Sequence, residues 1–382
     1  MKFFEKYLLL LFLIANMISE YRVLIPVSKI LFYAVLILSI PCLFFSNFRG
    51  LKNKFPELSA LIVIYIFAQL VFQVDLWTQS NILYTVSKCV VFAIMMICIN
   101  SNFRFYFRET LNFFPMIIVG LIAVGWVYNR VDSMGMICFG FINRNVACTL
   151  ATAGFAGFMF RNDKQTKVDF LCLVFLFATI LYGGSRNALA MCVLILIVRY
   201  GISFKLIFVG GVLVVFMIFI LPTMGVELTA FERLLGTLNG TVEIDREDER
   251  NAALQMIAAR PWTGWGYSYA NLESIGLDMN AHNGYLTTIE NLGWPCGLLV
   301  LGNIVIGSLR RLKLYFIKDR VINYHLAIIV STLFGANQED YLIGVNQCTT
   351  NLFFMSFAVL GFYMSYRKSL IQHNNKYENS IL

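Results

Sequence analysis

Long uncharged runs constrain this chain more than any motif does. Near residues 7–19, 24–46, 58–72, 82–99, 113–128, 146–160, 168–182, 187–200, 205–221, 284–308, 321–335 and 351–366 the side chains are mostly apolar, and short polar breaks separate these stretches. A bilayer core about 30 Å thick is crossed by about 20 such residues in a helix, and backbone in lipid must satisfy its hydrogen bonds internally. The pattern predicts an all-α polytopic membrane protein with about twelve transmembrane helices and one long outer loop. Composition agrees: 59% of the 382 residues are hydrophobic and 14% are charged, against about 25% charged in soluble domains. A soluble enzyme, a disordered hub and a nucleic-acid binder are excluded, despite a net charge of +8. The 9 cysteines sit mostly in apolar runs without CxxC spacing and read as small hydrophobes, not a disulfide or metal framework. Segment 7–19 reads as an anchor, because Ile18-Ser19-Glu20-Tyr21-Arg22 offers no signal-peptide cleavage pattern.

Charge sets the orientation. Alternate breaks are rich in Lys and Arg, including Lys2 and Lys6, Arg49, Lys52 and Lys54, and Arg310, Arg311 and Lys313. These mark the inner side and predict that both termini are cytoplasmic. The basic residues left facing outward are all arginine: Arg22, Arg130, Arg144, Arg186, Arg233, Arg246, Arg250 and Arg260. A guanidinium fork grips phosphate oxygens bidentately, whereas an ammonium acts as a point charge. The organisation is then spans one to nine over 1–221, a large outer loop over 222–283, spans ten to twelve over 284–366, and a cytoplasmic tail over 367–382.

The outer loop is too polar to span and too long to be a mere connection. Within it, residues 245–260 read as a helix that starts at Asp245, carries Glu247, Asp248 and Glu249 in its first turn, and stops at Pro261. Arg246, Arg250, Leu254 and Ile257 share a face, so the helix is predicted to lie on the membrane surface with both arginines toward a phosphate. Pairing with Glu247 or Glu249 accounts for Arg246 equally well. A second anion site is predicted where Gly183-Gly184-Ser185-Arg186 turns into a span, with Ser185 as cap and Arg186 at the helix start. Trp262, Trp265, Tyr267 and Tyr269 follow in the loop, suited either to stack on sugar faces or to anchor the loop at the interface. His282 stands at the outer mouth of span ten, where an imidazole can serve as a base. By contrast, His325 reads as a packed helix residue and His373 as part of a solvated tail. Asp340, of the outer pair Glu339-Asp340, is a further candidate. Lys29, Lys88 and Glu290 each lie about six residues, or roughly 9 Å, below the outer surface. They either snorkel or share a polar pocket.

Three motifs in order, GGSRNALAM, DERNAALQMIAARPWTGWG and AHNGYLTTIENLGWPCGLL, resemble the O-antigen polymerase and ligase superfamily over about residues 180–300. The resemblance implies a bacterial inner-membrane glycosyltransferase acting at the periplasmic face on undecaprenyl-diphosphate-linked oligosaccharides, with a fold similar to lipid-dependent membrane glycosyltransferases. It implies inverting transfer without metal, nucleotide or other cofactor, with Arg186 and Arg250, and Arg246 beside them, on the diphosphate and His282 on the acceptor. A flippase and a chain-length regulator are the implied protein partners. The sequence departs from many ligases in a fairly short loop and in Gly284 after His-Asn. Polymerase and ligase share these motifs; the polymerase is the first reading and the ligase the alternative. Independently, a sugar on a diphosphate already carries its leaving group, so charge neutralisation and a positioned hydroxyl suffice. A transporter is the rival class, but the long loop after span nine and the lack of matching halves argue against it. A lipid-linked oligosaccharide flippase would scatter more charge through its spans.

Overall fold

Side-chain caps set many of the helix starts. The computed structural model describes residues 2–44, 48–128, 131, 137–202, 246–267 and 282–378. Its helices are α1 (Lys2–Ser19), α2 (Ile25–Phe44), α3 (Phe48–Lys54), α4 (Pro56–Phe67), α5 (Gln79–Ser101), α6 (Thr110–Tyr128), α7 (Arg144–Arg161), α8 (Lys167–Gly183) and α9 (Arg186–Tyr200). Then come α10 (Arg246–Ala259), α11 (Gly284–Leu312), α12 (Arg320–Gly335) and α13 (Cys348–Glu378). Thr166 and Asp169 form a reciprocal capping box for α8, and Asn143, Ser185 and Asp319 cap α7, α9 and α12. Pro56 opens α4, where its missing N–H costs nothing.

Every expected apolar stretch within the described residues falls on a helix, and none of these residues forms a strand; the stretch 205–221 lies outside them. Five segments are long and apolar enough to cross a bilayer: Arg22–Phe44, Gln79–Ser101, Phe105–Tyr128, Gly284–Ile317 and Cys348–Arg367. Pro56–Phe72 and Arg320–Gly335 are shorter apolar helices.

Helix α7 is the central one. Residues 147–160 are buried all round against α6, α8, α9 and α12. Small residues permit this: a Cβ at Gly157 would collide with the Pro115 ring, and one at Gly154 with Ile118. At the periphery α2 is the opposite case, with Val27, Ile30, Tyr33, Ile37 and Phe44 exposed as an apolar face. Lys29 is exposed on that helix. It therefore joins no pocket with Lys88 and Glu290, and the shared three-residue pocket is not formed.

Two helix irregularities shape one end of the bundle. Helix α4 runs into a π turn, Ala68–Phe72, that ends at Gln73. Helix α11 breaks at Gly293, where φ is 71°, two residues before Pro295. At the C-terminal end of α11, Arg311 is not a solvated topology charge but a buried bracket. Its guanidinium donates to the carbonyls of Phe357 and Gly307 and meets Glu57 Oε2 at 3.3 Å. His325 is buried between Ser356 and the Phe107 carbonyl, a packed helix residue as the sequence suggests.

Candidate functional site

The break in α11 receives the aromatic segment that precedes it. Once Gly293 leaves the helical conformation, the carbonyls of Glu290 and Asn291 are released from the helix ladder. They accept from the N–H groups of Trp265 at 2.9 Å and Gly266 at 3.0 Å, while the Trp294 N–H donates to the Pro261 carbonyl at 2.7 Å. Gln73, at the end of the π turn, donates to the Thr263 and Asn291 carbonyls and ties α4 to the same knot. Gly264 and Gly293 approach so closely that a Cβ on either would strike the other segment's backbone. PWTGWGY and NLGWPCG are thus two halves of one joint.

Facing this joint is the loop of residues 336–347, between α12 and α13. Four helices hold its backbone, and a fifth holds the last residue of α12 just before it. The Gly284 N–H donates to the Ala336 and Glu339 carbonyls, and Asn187 at the start of α9 donates to the Gly335 carbonyl. Ser19 donates to Asn346 and Asn351 to Val345. Tyr84 donates to Ile343, and Lys88 to Ile343 and Gly344. Lys88 is fully buried, so neither snorkelling nor a cavity-facing role describes it; its charge is spent on two loop carbonyls. Gly284 is small for a reason the structure supplies, because a Cβ there would press on the backbone of Glu339, Tyr341 and Leu342.

Between joint and loop lies a cavity of about 200 Å³ lined by residues that include His282, Glu290, Glu339, Asp340, Asn145, Trp265, Tyr267 and Tyr341. Asn283 caps α11 through the Tyr285 and Leu286 N–H groups. His282, just before it, adopts φ 40°, a left-handed conformation costly for a histidine. That turn brings its Nδ1 to 3.5 Å from Glu339 Oε2, while Glu339 Oε1 accepts from Asn145 at 2.8 Å. Asp340 Oδ1 accepts the Thr287 hydroxyl at 2.8 Å. Burial pushes the Asp340 carboxyl above its ordinary range; the Thr287 hydroxyl and His282 oppose the shift and Glu339 adds to it.

Residues 171–301 match the family model of the O-antigen ligases. The match runs from α8 to the middle of α11 and includes Arg186, Arg250, His282 and Glu290, but not the 336–347 loop. It agrees with the superfamily read from the three motifs. No curated protein matches the chain closely enough to count as a relative.

The structure brings together His282, Glu290, Asp340, Trp265 and Tyr267 around the cavity and leaves other candidates outside its lining. Arg186 is half-buried at the start of α9, one residue from Asn187, whose amide holds the last carbonyl of α12. Arg250 is half-buried on α10, whose Met256 lines the cavity. The Arg246 side chain, Tyr269 and residues 203–245 and 268–281 fall outside the described residues. Helix α10 differs from the expected membrane-surface helix. Ala253, Met256 and Ile257 are buried on the side packed against α11, whereas Leu254 is exposed. The apolar strip is therefore turned by one residue, toward protein. Trp262 is 68% exposed and does not line the cavity. Tyr267 stacks on Tyr84 at 3.9 Å between centroids, and Trp265 lies under the Arg260 guanidinium at 4.7 Å. One face of each ring is thus taken by protein.

Glu339 and Asn145 are the members that sequence reasoning passed over. Both were visible as polar residues at outer span mouths, Glu339 beside Asp340 and Asn145 in Asn143-Arg144-Asn145, but nothing local pairs them. Chemically, an imidazole held by a carboxylate through Nδ1 leaves Nε2 to take a proton, and carboxylates, amides and ring faces suit sugar hydroxyls and C–H faces.

Proposed function

We propose that this protein is a surface-polysaccharide polymerase that joins undecaprenyl-diphosphate-linked repeat units at the periplasmic face of the bacterial inner membrane. The observation that carries the reading is the His282–Glu339 pair on the wall of a sugar-sized cavity, inside and beside a segment similar to O-antigen ligases. In this reading the cavity takes the acceptor sugar. Its hydroxyl gives its proton to His282 Nε2 as its oxygen attacks the anomeric carbon of the donor, with inversion, and undecaprenyl diphosphate leaves. Glu339 fixes the tautomer and steadies the imidazolium, as carboxylates do in other histidine-based sites. Arg186 and Arg250, with Arg246 beside them, grip the diphosphate outside the cavity and neutralise the charge that develops there. The leaving group is already attached, so no nucleotide or metal enters the step. In this reading about twelve spans with both termini cytoplasmic make residues 222–283 a periplasmic loop, and a flippase and a chain-length regulator are the partners.

The description of the matched family favours a second reading, a ligase that moves the finished glycan to lipid A core. Banding of surface polysaccharide separates the two. A strain lacking the protein should carry single repeat units on its lipid A core, with the full ladder returning on complementation. Lipid A core bare of any repeat unit would replace the polymerase with the ligase.

A further inference from the structure

Charge in the cavity is one-sided. Glu290, Glu339 and Asp340 bring three carboxyl groups to its wall, and its described lining includes no lysine or arginine. Two of the three are engaged: Glu339 by Asn145 and His282, and Asp340 by Thr287. Glu290 is not. It is 5% exposed, it lines the cavity, and no hydrogen-bond donor among the described residues reaches its carboxylate. Besides its burial, the charged group that acts on it is another acid, Asp340. A buried carboxylate without donors is costly, and it persists where a ligand or water supplies the missing protons.

The surroundings say what kind of ligand does so. A volume of about 200 Å³ is enough for one sugar ring. Trp265, Tyr267 and Tyr341 give it aromatic walls and Asn145 and Asn291 give it amides, the combination that receives a ring with one apolar face and hydroxyls around its edge. Glu290 lies one to two turns into α11, deeper than His282 at its mouth, so a ring anchored by Glu290 presents its outer hydroxyl to the imidazole. A sugar carboxylate in the same place would share the cavity with Asp340 and Glu290, without a described lysine or arginine to offset the repulsion.

We propose that Glu290 is the anchoring group of an acceptor-sugar subsite that takes a neutral or amino sugar through its hydroxyl or ammonium protons and rejects sugars bearing a carboxylate. This rests on the reading of the cavity as the acceptor site, and it adds the substrate class. The test uses the full-length protein in lipid nanodiscs with methyl β-glycosides of glucose, galactose, mannose, N-acetylglucosamine and glucosamine, and with the uronate counterparts of the three hexoses, read by saturation-transfer NMR.

At least one neutral or amino glycoside is expected to bind, with every uronate about tenfold weaker or worse than its neutral counterpart. Glu290→Gln, which keeps size and loses the charge-assisted acceptor, should weaken the neutral ligand about tenfold while leaving the melting temperature in place. Asp340→Asn is the second variant and should narrow the gap between neutral and uronate ligands. A uronate that binds as well as its neutral partner, unchanged affinity in Glu290→Gln, or no binding by any neutral or amino glycoside would each overturn the proposal. Chain growth on lipid-linked repeat units is measured separately. Elongation together with uronate binding sinks the subsite and leaves the polymerase standing, whereas neutral-sugar binding without elongation or ligation does the reverse.

Discussion

In the proposed mechanism two kinds of residue divide the work, and substitutions should separate them. Arg186 and Arg250 lie outside the cavity lining, so their proposed task is the donor diphosphate. Arg186→Lys and Arg250→Lys keep the charge but lose the fork. Each is expected to lower kcat/KM by about tenfold or more while the protein still inserts. Near-normal glycan length in both variants would return these arginines to interface duty. The proposed role of Glu339 is to act through the imidazole, so Glu339→Gln should lower kcat by about 10²-fold with donor binding kept. A fall in donor affinity instead, at constant kcat, would contradict its role as the positioning partner of His282. Part of this division is legible in the residue string. His282, Asp340 and Glu290 stand at or below span mouths and can be picked out one by one. The His282–Glu339 contact joins residues far apart in the chain and depends on the φ 40° turn at His282, which no local pattern announces.

At the level of elements the break in α11 is the feature on which the cavity depends. Gly293 holds φ 71°, and a Cβ there would meet the Trp262 carbonyl. Gly293→Ala should therefore cost about 2 kcal/mol and undock the segment carrying Trp265 and Tyr267. Gly302, on the same helix with open space around it, is the control, and Gly302→Ala should leave the melting temperature unchanged or slightly raised. Equal thermal shifts in the two variants would deny the joint its importance. The motif PWTGWGY reads in sequence as a loop of aromatics for sugars or for the interface. Its actual use is largely backbone pairing with the opened helix, and Tyr267 turns one face to Tyr84 rather than to a ligand. Ring type predicts where an aromatic is useful but not which face is left free. Helix α10 shows the same limit, since a shift of one residue decides whether Leu254 or Ala253 lies on the buried side.

Across the whole molecule the apolar runs foretell the helices well, because a 3.6-residue period is not needed when nearly every side chain faces lipid or protein. What they do not foretell is which helices face lipid. Helix α7 is sealed in the centre by its glycines and alanines and α2 is exposed at the rim, although both read as plain spans. Nor do they foretell how the N-terminal hairpin is fastened to the rest. Glu20, between α1 and α2, is buried and accepts the Cys348 N–H at 2.9 Å, and burial pushes its carboxyl up to about 8. The folded value lies above the unfolded one of 4.5, so the fold favours the protonated acid. The resulting stability is complete below about pH 4.5 and is lost as pH rises through about 8. Glu20→Gln keeps the acceptor and removes the buried charge, so thermal unfolding across that window should show a flatter pH dependence and a higher melting temperature at its alkaline end. An unchanged slope would mean that Glu20 titrates normally.

The central claim, that His282 takes the acceptor proton beside a separately held donor, is tested most directly by chain growth with purified protein in lipid. Supplied with undecaprenyl-diphosphate repeat units, the wild type should build a ladder, and its rate should fall on acidification as the imidazole is protonated. His282→Gln, which retains a hydrogen-bonding side chain without a titrating nitrogen, should bind the donor lipid and build none. A substantial ladder from His282→Gln would contradict the account and make His282 a structural residue of the turn that opens α11.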